Sequence, residues 1–223
     1  PFPHYVMLEE TNEPETWFMR DPDFRWEGTQ RKTQVIAAIE SEAVAGGYIF
    51  DSSEIIPSSN NVVAEYFLAS FNQKNNPMTD KVRQVVDAHI GSNTSSTDIS
   101  QLSEALKQLP VLAIRKYAYE HGFAFFWRDI GFPEAEFEHW CDVIEALVSN
   151  YKNIQFRAMK LATEQLSLAD KNALIAEIFS LLDQQDEREF SIKKHLFEVF
   201  SQWSSLHQIN LHGTQKCVEE VAL

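Results

Sequence analysis

The sequence predicts an α+β chain that is mostly helical, with a small antiparallel sheet at the N-terminus followed by a helical bundle. Three observations carry that reading. Over the first fifty positions, short runs rich in aromatic and branched residues are separated by polar turns, the pattern of half-buried strands. From Val62 onward, apolar residues recur three and four positions apart, as they do on helices with one buried face. A hydrophobic content of 44% with 12% aromatic residues is enough for a packed core and excludes a disordered chain.

Taken in order, residues 4–9 and 16–20 read as two strands joined by the polar loop Glu10-Thr11-Asn12-Glu13-Pro14. A helix is expected over 29–45, on Val35, Ile36 and Ile39, with Gly46-Gly47 stopping it. Tyr48-Ile49-Phe50 is the expected third strand, and 52–61 a polar loop. Further helices are expected over 62–71, 79–90 with Thr79 as N-cap, 98–109, 110–130 ended by Gly131, 133–165 and 169–203. Residues 91–96 read as a linker, and the tail is weakly patterned. Three domains follow: 1–58, the C-terminal part of an α+β domain; 59–204, a helical bundle; and 205–223, a tail. Three strands make a poor sheet alone, and the chain opens Pro1-Phe2-Pro3 with no initiator Met. The first half of the sheet-bearing domain is therefore expected upstream of residue 1.

Composition narrows the function classes. No apolar window approaches 18 uncharged residues, so no membrane span is expected. A net charge of −14 lacks the basic footprint of a nucleic-acid binder. It suits a cationic small molecule such as a polyamine, although acidity also serves plain solubility. Cys141 and Cys217 form neither a disulfide framework nor a CxxC pair, which agrees with a reducing cytoplasm. His121, His139, His195 and His207 show no HExxH or paired spacing, and "GTQRKT" and "AGGY" lack the pattern of a phosphate loop. No metal is expected.

His4 and Asp21 are the candidate catalytic pair. An imidazole that activates a thiol needs a third group to fix its tautomer and stabilise its cation. Adjacent strands are one rigid way to supply that group. Asp23 is the competing carboxylate, two residues on; Pro22 favours a turn there, which leaves Asp21 at the strand end. The bland alternative is an edge-strand histidine and an Asp-Pro turn. Cys141 lies on the apolar stripe Phe137, Trp140, Ile144, Leu147, Val148 and Tyr151, where a thiol is ordinarily inert core.

"HYVML" followed by "WFMRDPDF" resembles the His–Asp half of papain-like folds of the C39 peptidase type. "DPDFRWEG", "GGYIFD" and "LPVLAIRKYAYEHGFAFFWRD" are similar to a non-proteolytic branch of that group. That branch includes the butirosin acyltransferase type and the catechol-condensing enzymes of petrobactin-type siderophore assembly. The resemblance implies a Cys–His–Asp acyltransferase with His4 as general base and Asp21 orienting it. A 3,4-dihydroxybenzoyl group would pass from the phosphopantetheine arm of an aryl carrier protein, through the enzyme cysteine, to a primary amine of spermidine or a spermidine–citrate conjugate. No cofactor of its own is implied. In that fold the cysteine precedes the histidine, and none precedes His4 here, so the nucleophile is expected outside this numbering.

Trp26, Glu27, Arg115, Tyr119 and Glu120 are the candidate amine-binding residues, because ammonium groups seek carboxylates and aromatic faces. Arg31 with Lys32, or Lys152, Arg157 and Lys160, are candidate basic patches for an acidic carrier. A homodimer is compatible with this composition; nucleic acid and membrane are not expected partners. Two other classes stay open: a peptidase of the same fold, and a helical scaffold with no chemistry.

Overall fold

The computed structural model describes residues 5–21, 26–42, 44, 46–49, 51–90, 96–163 and 165–209. The chain divides into two compact units, Pro1–Pro57 and Ser58–Leu223, and is mostly helical with a three-stranded antiparallel sheet at its start.

In the first unit, β1 (Met7–Glu10), β2 (Thr16–Asp21) and β3 (Trp26–Arg31) lie in the order β1-β2-β3. The β1–β2 turn is held by a threonine rather than a glycine. Thr11 Oγ1 lies 2.6 Å from Thr16 Oγ1 and accepts from the Glu13 N–H at 3.2 Å, while the Thr16 N–H donates to the Glu13 carbonyl at 3.1 Å.

The third strand is Trp26–Arg31, not the expected 48–50. Tyr48 and Ile49 carry no strand pairing and stand almost fully exposed; Phe50 lies outside the described residues. Among the described residues no strand pairs with Tyr48 or Ile49, and apolar residues without a partner strand do not make a sheet. The segment "WEGTQR" is too polar to be noticed alone, yet it pairs residue for residue with β2 over Asp21↔Trp26 to Thr16↔Arg31. Arg20 ties the three strands by donating to Glu9 and Glu27, each at 2.6 Å.

Because β3 takes residues 29–31, α1 spans only Lys32–Ile39 rather than 29–45. Of its expected stripe only Val35 is buried, with Ile36 and Ile39 exposed.

The second unit holds α2 (Asn60–Ser70), α3 (Pro77–Ile90), α4 (Ser96–Ala105), α5 (Leu109–Ile114), α6 (Ala118–Ile130), α7 (Glu134–Thr163) and α8 (Leu168–Leu206). Helix α2 starts before Val62 because the Ser59 hydroxyl caps it, accepting from the Val62 N–H. Thr79 is not an N-cap: Pro77 opens α3, its fixed φ suiting the first helical position, and Thr79 is fully buried in the first turn.

The expected helix 110–130 is broken by a 3₁₀ turn at Arg115–Tyr117. There, neighbouring side chains serve different helices, Lys116 reaching Glu189 of α8 and Tyr117 reaching Glu145 of α7. Gly131, at φ +111°, ends α6 with its N–H on the Trp127 carbonyl, a conformation that favours glycine.

Helices α7 and α8 are long enough, at 30 and 39 residues, to run roughly 45 and 60 Å. The Ser167 hydroxyl caps α8 through the Asp170 N–H. Ile144, Leu147, Val148, Tyr151, Ile154, Ala158 and Leu161 form the buried face of α7. Ile178, Leu182, Ile192, Leu196, Val199, Phe200 and Trp203 form that of α8, both at the helical period. Phe67, Phe126, Phe200 and Trp203 meet in stacked, tilted and edge-on pairs across α2, α6 and α8, with ring centroids 4.2 to 6.1 Å apart.

Asp129 closes one end of that cluster, accepting from Trp203 Nε1 at 2.9 Å and lying 3.0 Å from His207 Nε2. The indole donor, then His207 and Arg128, hold its carboxyl below 3.8. Asp186 is also held low. Its burial opposes this, but hydrogen bonds from Arg83 and Asn76 outweigh the burial. Both carboxyls therefore stabilise the fold fully above about pH 3.8. On acidification the unfolded chain takes up these protons first, so stability is lost as pH falls through the lower folded values. Asp129→Asn should lower the urea midpoint at neutral pH, and the gap from the parent should close in acid. A gap unchanged down to pH 2.5 would contradict this account.

Candidate functional site

Asp21 is the last residue of β2 and lies opposite Trp26 across the β2–β3 pair. Strand alternation puts it on the face shared by Leu8, Trp17 and Met19. The Glu9–Arg20–Glu27 ladder occupies the other face. Asp21 is half-buried at the end of the strand. Gly28 faces the same way as Trp26, and a Cβ there would come within 3.0 Å of the Trp26 ring. The indole thus lies along the sheet beside the strand end, with Trp26 still partly exposed. Glu27 is engaged by Arg20. His4 and Asp23 lie outside the described residues, as does Cys217.

Arg115 and Tyr119 belong to the second unit, where they share the wall of a cavity of about 720 Å³. Its apolar lining comes from α3, α5 and the turn between α4 and α5, chiefly Met78, Val82, Val85, Leu106, Leu109 and Leu112. Glu120 does not line it; that carboxylate acts on Cys141 instead.

Behind the cavity wall sits a buried polar cluster that the sequence reading missed. Glu189 is fully buried. Its Oε1 accepts from Lys116 Nζ at 2.5 Å and from Tyr119 Oη at 2.7 Å, and lies 3.5 Å from Lys193 Nζ. Lys193, also buried, donates to the Asn75 carbonyl at 2.9 Å and to Asn76 Oδ1 at 2.7 Å. Asn76 donates in turn to Asp186, which also pairs with Arg83 at 2.8 Å. Burial pushes the Lys193 ammonium down, against the pull of Glu189. Burial, reinforced by Glu189, keeps the Tyr119 phenol protonated far above its usual range. A signal for this cluster existed in Gln185, Glu189 and Lys193, three polar residues spaced by four along the apolar stripe of α8.

Cys141 is half-buried on α7. Burial first, then Glu120, Asp142 and Glu138, push its thiol up, so the thiolate that nucleophilic chemistry needs is disfavoured. Among the described residues no group of three or more His, Cys, Asp or Glu is placed to hold a metal ion, and no helix is long and apolar enough to cross a membrane. Of the basic patches, Arg157 is paired with Glu177 at 2.8 Å and Lys32 lies 5.4 Å from the Trp17 ring centre.

A small antiparallel sheet ending in a half-buried aspartate, in a chain with a separate helical unit, defines a two-part α+β protein. The chain belongs to the DUF6005 family: the DUF6005 N-terminal domain matches residues 1–55 and the DUF6005 C-terminal domain residues 61–216. It is similar to petrobactin synthase of Bacillus anthracis, at 37% identity over 206 residues. That match covers 92% of this chain and 61% of the relative, so the chain spans about three fifths of the relative's length. No solved structure gives a significant match.

Proposed function

We propose that the chain is the His–Asp-bearing part of a carrier-protein-dependent N-acyltransferase in petrobactin-type siderophore biosynthesis. The observation that carries this reading is the identity with petrobactin synthase, which runs across both units. The half-buried carboxylate at the end of β2 supports it chemically.

His4 acts as general base and Asp21 fixes its tautomer. The nucleophile is a cysteine other than Cys141, whose thiolate burial disfavours. In the first step the thiolate attacks the 3,4-dihydroxybenzoyl thioester. The bond to the phosphopantetheine sulfur breaks, and that sulfur leaves as a thiol, taking the proton that His4 removed from the cysteine. In the second step a primary amine of spermidine, or of its citrate conjugate, attacks the enzyme thioester. A C–N bond forms, the C–S bond breaks, and His4 carries the amine proton to the departing cysteine sulfur. Dividing one amide synthesis into two thioester steps is ordinary covalent catalysis. This reading sets the protein in the cytoplasm beside its carrier.

The test is amide formation by the full-length protein from 3,4-dihydroxybenzoyl carrier protein and spermidine or its citrate conjugate. Product should form only with the carrier thioester, not with the free acid. Asp21→Asn should lower the rate by about 10²- to 10⁴-fold with an unchanged circular dichroism spectrum. Peptide hydrolysis without any carrier would point instead to a peptidase. A folded full-length protein with no turnover would favour a scaffold.

A further inference from the structure

We infer that the cavity of the helical unit is a binding site for an organic anion with an apolar or aromatic body. This goes beyond the acyl-transfer reading and does not depend on it.

The size and lining set the body of the ligand. A volume of about 720 Å³ falls in the range of small-molecule sites, and Val82, Val85, Leu106, Leu109 and Leu112 would hold rings or methylenes away from water. The rim sets its charge. All the charged residues lining the cavity are cations, Lys81, Arg115 and Lys116, in a chain where 33 acids outnumber 19 bases. Such a local inversion is charge complementarity for an anion.

The buried cluster behind the wall does not cancel it. Glu189 faces both Lys116 and Lys193, so one carboxylate is shared between two ammonium groups. Glu189 Oε2 has no hydrogen-bond partner among the described residues. Lys81 donates to the neutral amide of Gln84 at 2.9 Å. Arg115 is exposed, with no acidic partner among the described residues. Its guanidinium is therefore open to a carboxylate or phosphate in the forked geometry that arginine favours. The cavity has the opposite charge preference from the amine pocket expected around Arg115 and Tyr119. A polyamine would meet Lys81 and Arg115 there, with Lys116 turned to Glu189.

Calorimetric titration of the whole chain with 2-naphthoate, 2-naphthamide and 2-naphthylmethylammonium tests this, because the three share a body and differ in charge. The naphthoate should bind about tenfold more tightly than the amide, and the ammonium more weakly than either. Arg115→Gln, at an exposed position, should remove most of the naphthoate preference and leave amide binding as it was. 2-Naphthyl phosphate forms a further arm: whichever anion binds more tightly names the head group, and either supports the site. Equal binding of all three charge types, tighter binding of the ammonium, a naphthoate affinity indifferent to Arg115→Gln, or no saturable binding at millimolar probe would each overturn the assignment.

Discussion

Glu189→Ala is expected to destabilise the helical unit by about 3–5 kcal/mol, the cost of leaving a buried charge without its counter-ion. Glu189 is fully buried between Lys116, Lys193 and Tyr119. Removing its carboxylate strands two ammonium groups, of which Lys193 is itself buried. For a unit of this size the loss should lower Tm by roughly 10 °C, at about 2–4 °C per kcal/mol.

The deficit should depend on pH in a known direction. Burial already holds Lys193 below 10.5, and loss of Glu189 removes the group that opposes that shift. Between the lowered folded value and 10.5 the unfolded chain binds more protons, so stability rises with pH across that window. The variant should therefore recover part of its loss in alkaline buffer. The triple change Lys116→Met, Glu189→Leu and Lys193→Met removes all three charges together. It should be far less damaging than Glu189→Ala alone, because apolar replacement of a whole buried cluster is often neutral. Urea unfolding of the three proteins checks this. A Glu189→Ala unfolding free energy within about 0.5 kcal/mol of the parent's would contradict the network described here.

Trp203→Ala should cost about 3–5 kcal/mol, the usual loss for a large buried aromatic side chain. Trp203 is fully buried, with ring centroids 5.1 Å from Phe126 and 6.1 Å from Phe200. Its indole N–H is the largest influence holding the Asp129 carboxyl down. Trp203→Phe separates the two roles. It keeps a ring in the core but removes the donor, so it should cost about 1–2 kcal/mol and let the Asp129 carboxyl rise toward 3.8. The Asp129 side-chain carbon resonance reports that titration directly. An unchanged Asp129 titration in Trp203→Phe would show that the bond contributes little.

The fold class and the order of the helices were legible because apolar spacing records burial directly. Strand β3 was not, because its sheet character lies in pairing with β2 and in the Arg20–Glu27 contact, and neither shows in its polar composition. Tyr48 and Ile49 misled for the converse reason: apolar residues signal a strand only when something covers them. Thr79 reads as a cap locally, yet Pro77 two positions earlier decides where α3 begins. The 3₁₀ turn at Arg115–Tyr117 was hidden because Lys116 and Tyr117 answer to two different helices.

At the candidate site, the placement of Asp21 at the strand end agrees with its position before Pro22, while Glu27 is drawn into the ladder with Arg20. Gln185, Glu189 and Lys193 were overlooked because only the apolar members of the α8 stripe were counted. Polar residues that keep the period of a buried face are themselves a signal of a network.

The central claim is that acyl transfer passes through an enzyme thioester made with His4 as base. Intact-mass analysis of the full-length protein after incubation with 3,4-dihydroxybenzoyl carrier protein, without amine, tests it most directly. The account predicts a single aryl adduct on one cysteine other than Cys141 or Cys217, absent in His4→Ala and released as amide on adding spermidine. An adduct on Cys141, an adduct that persists in His4→Ala, or amide formation with no adduct at all would contradict it.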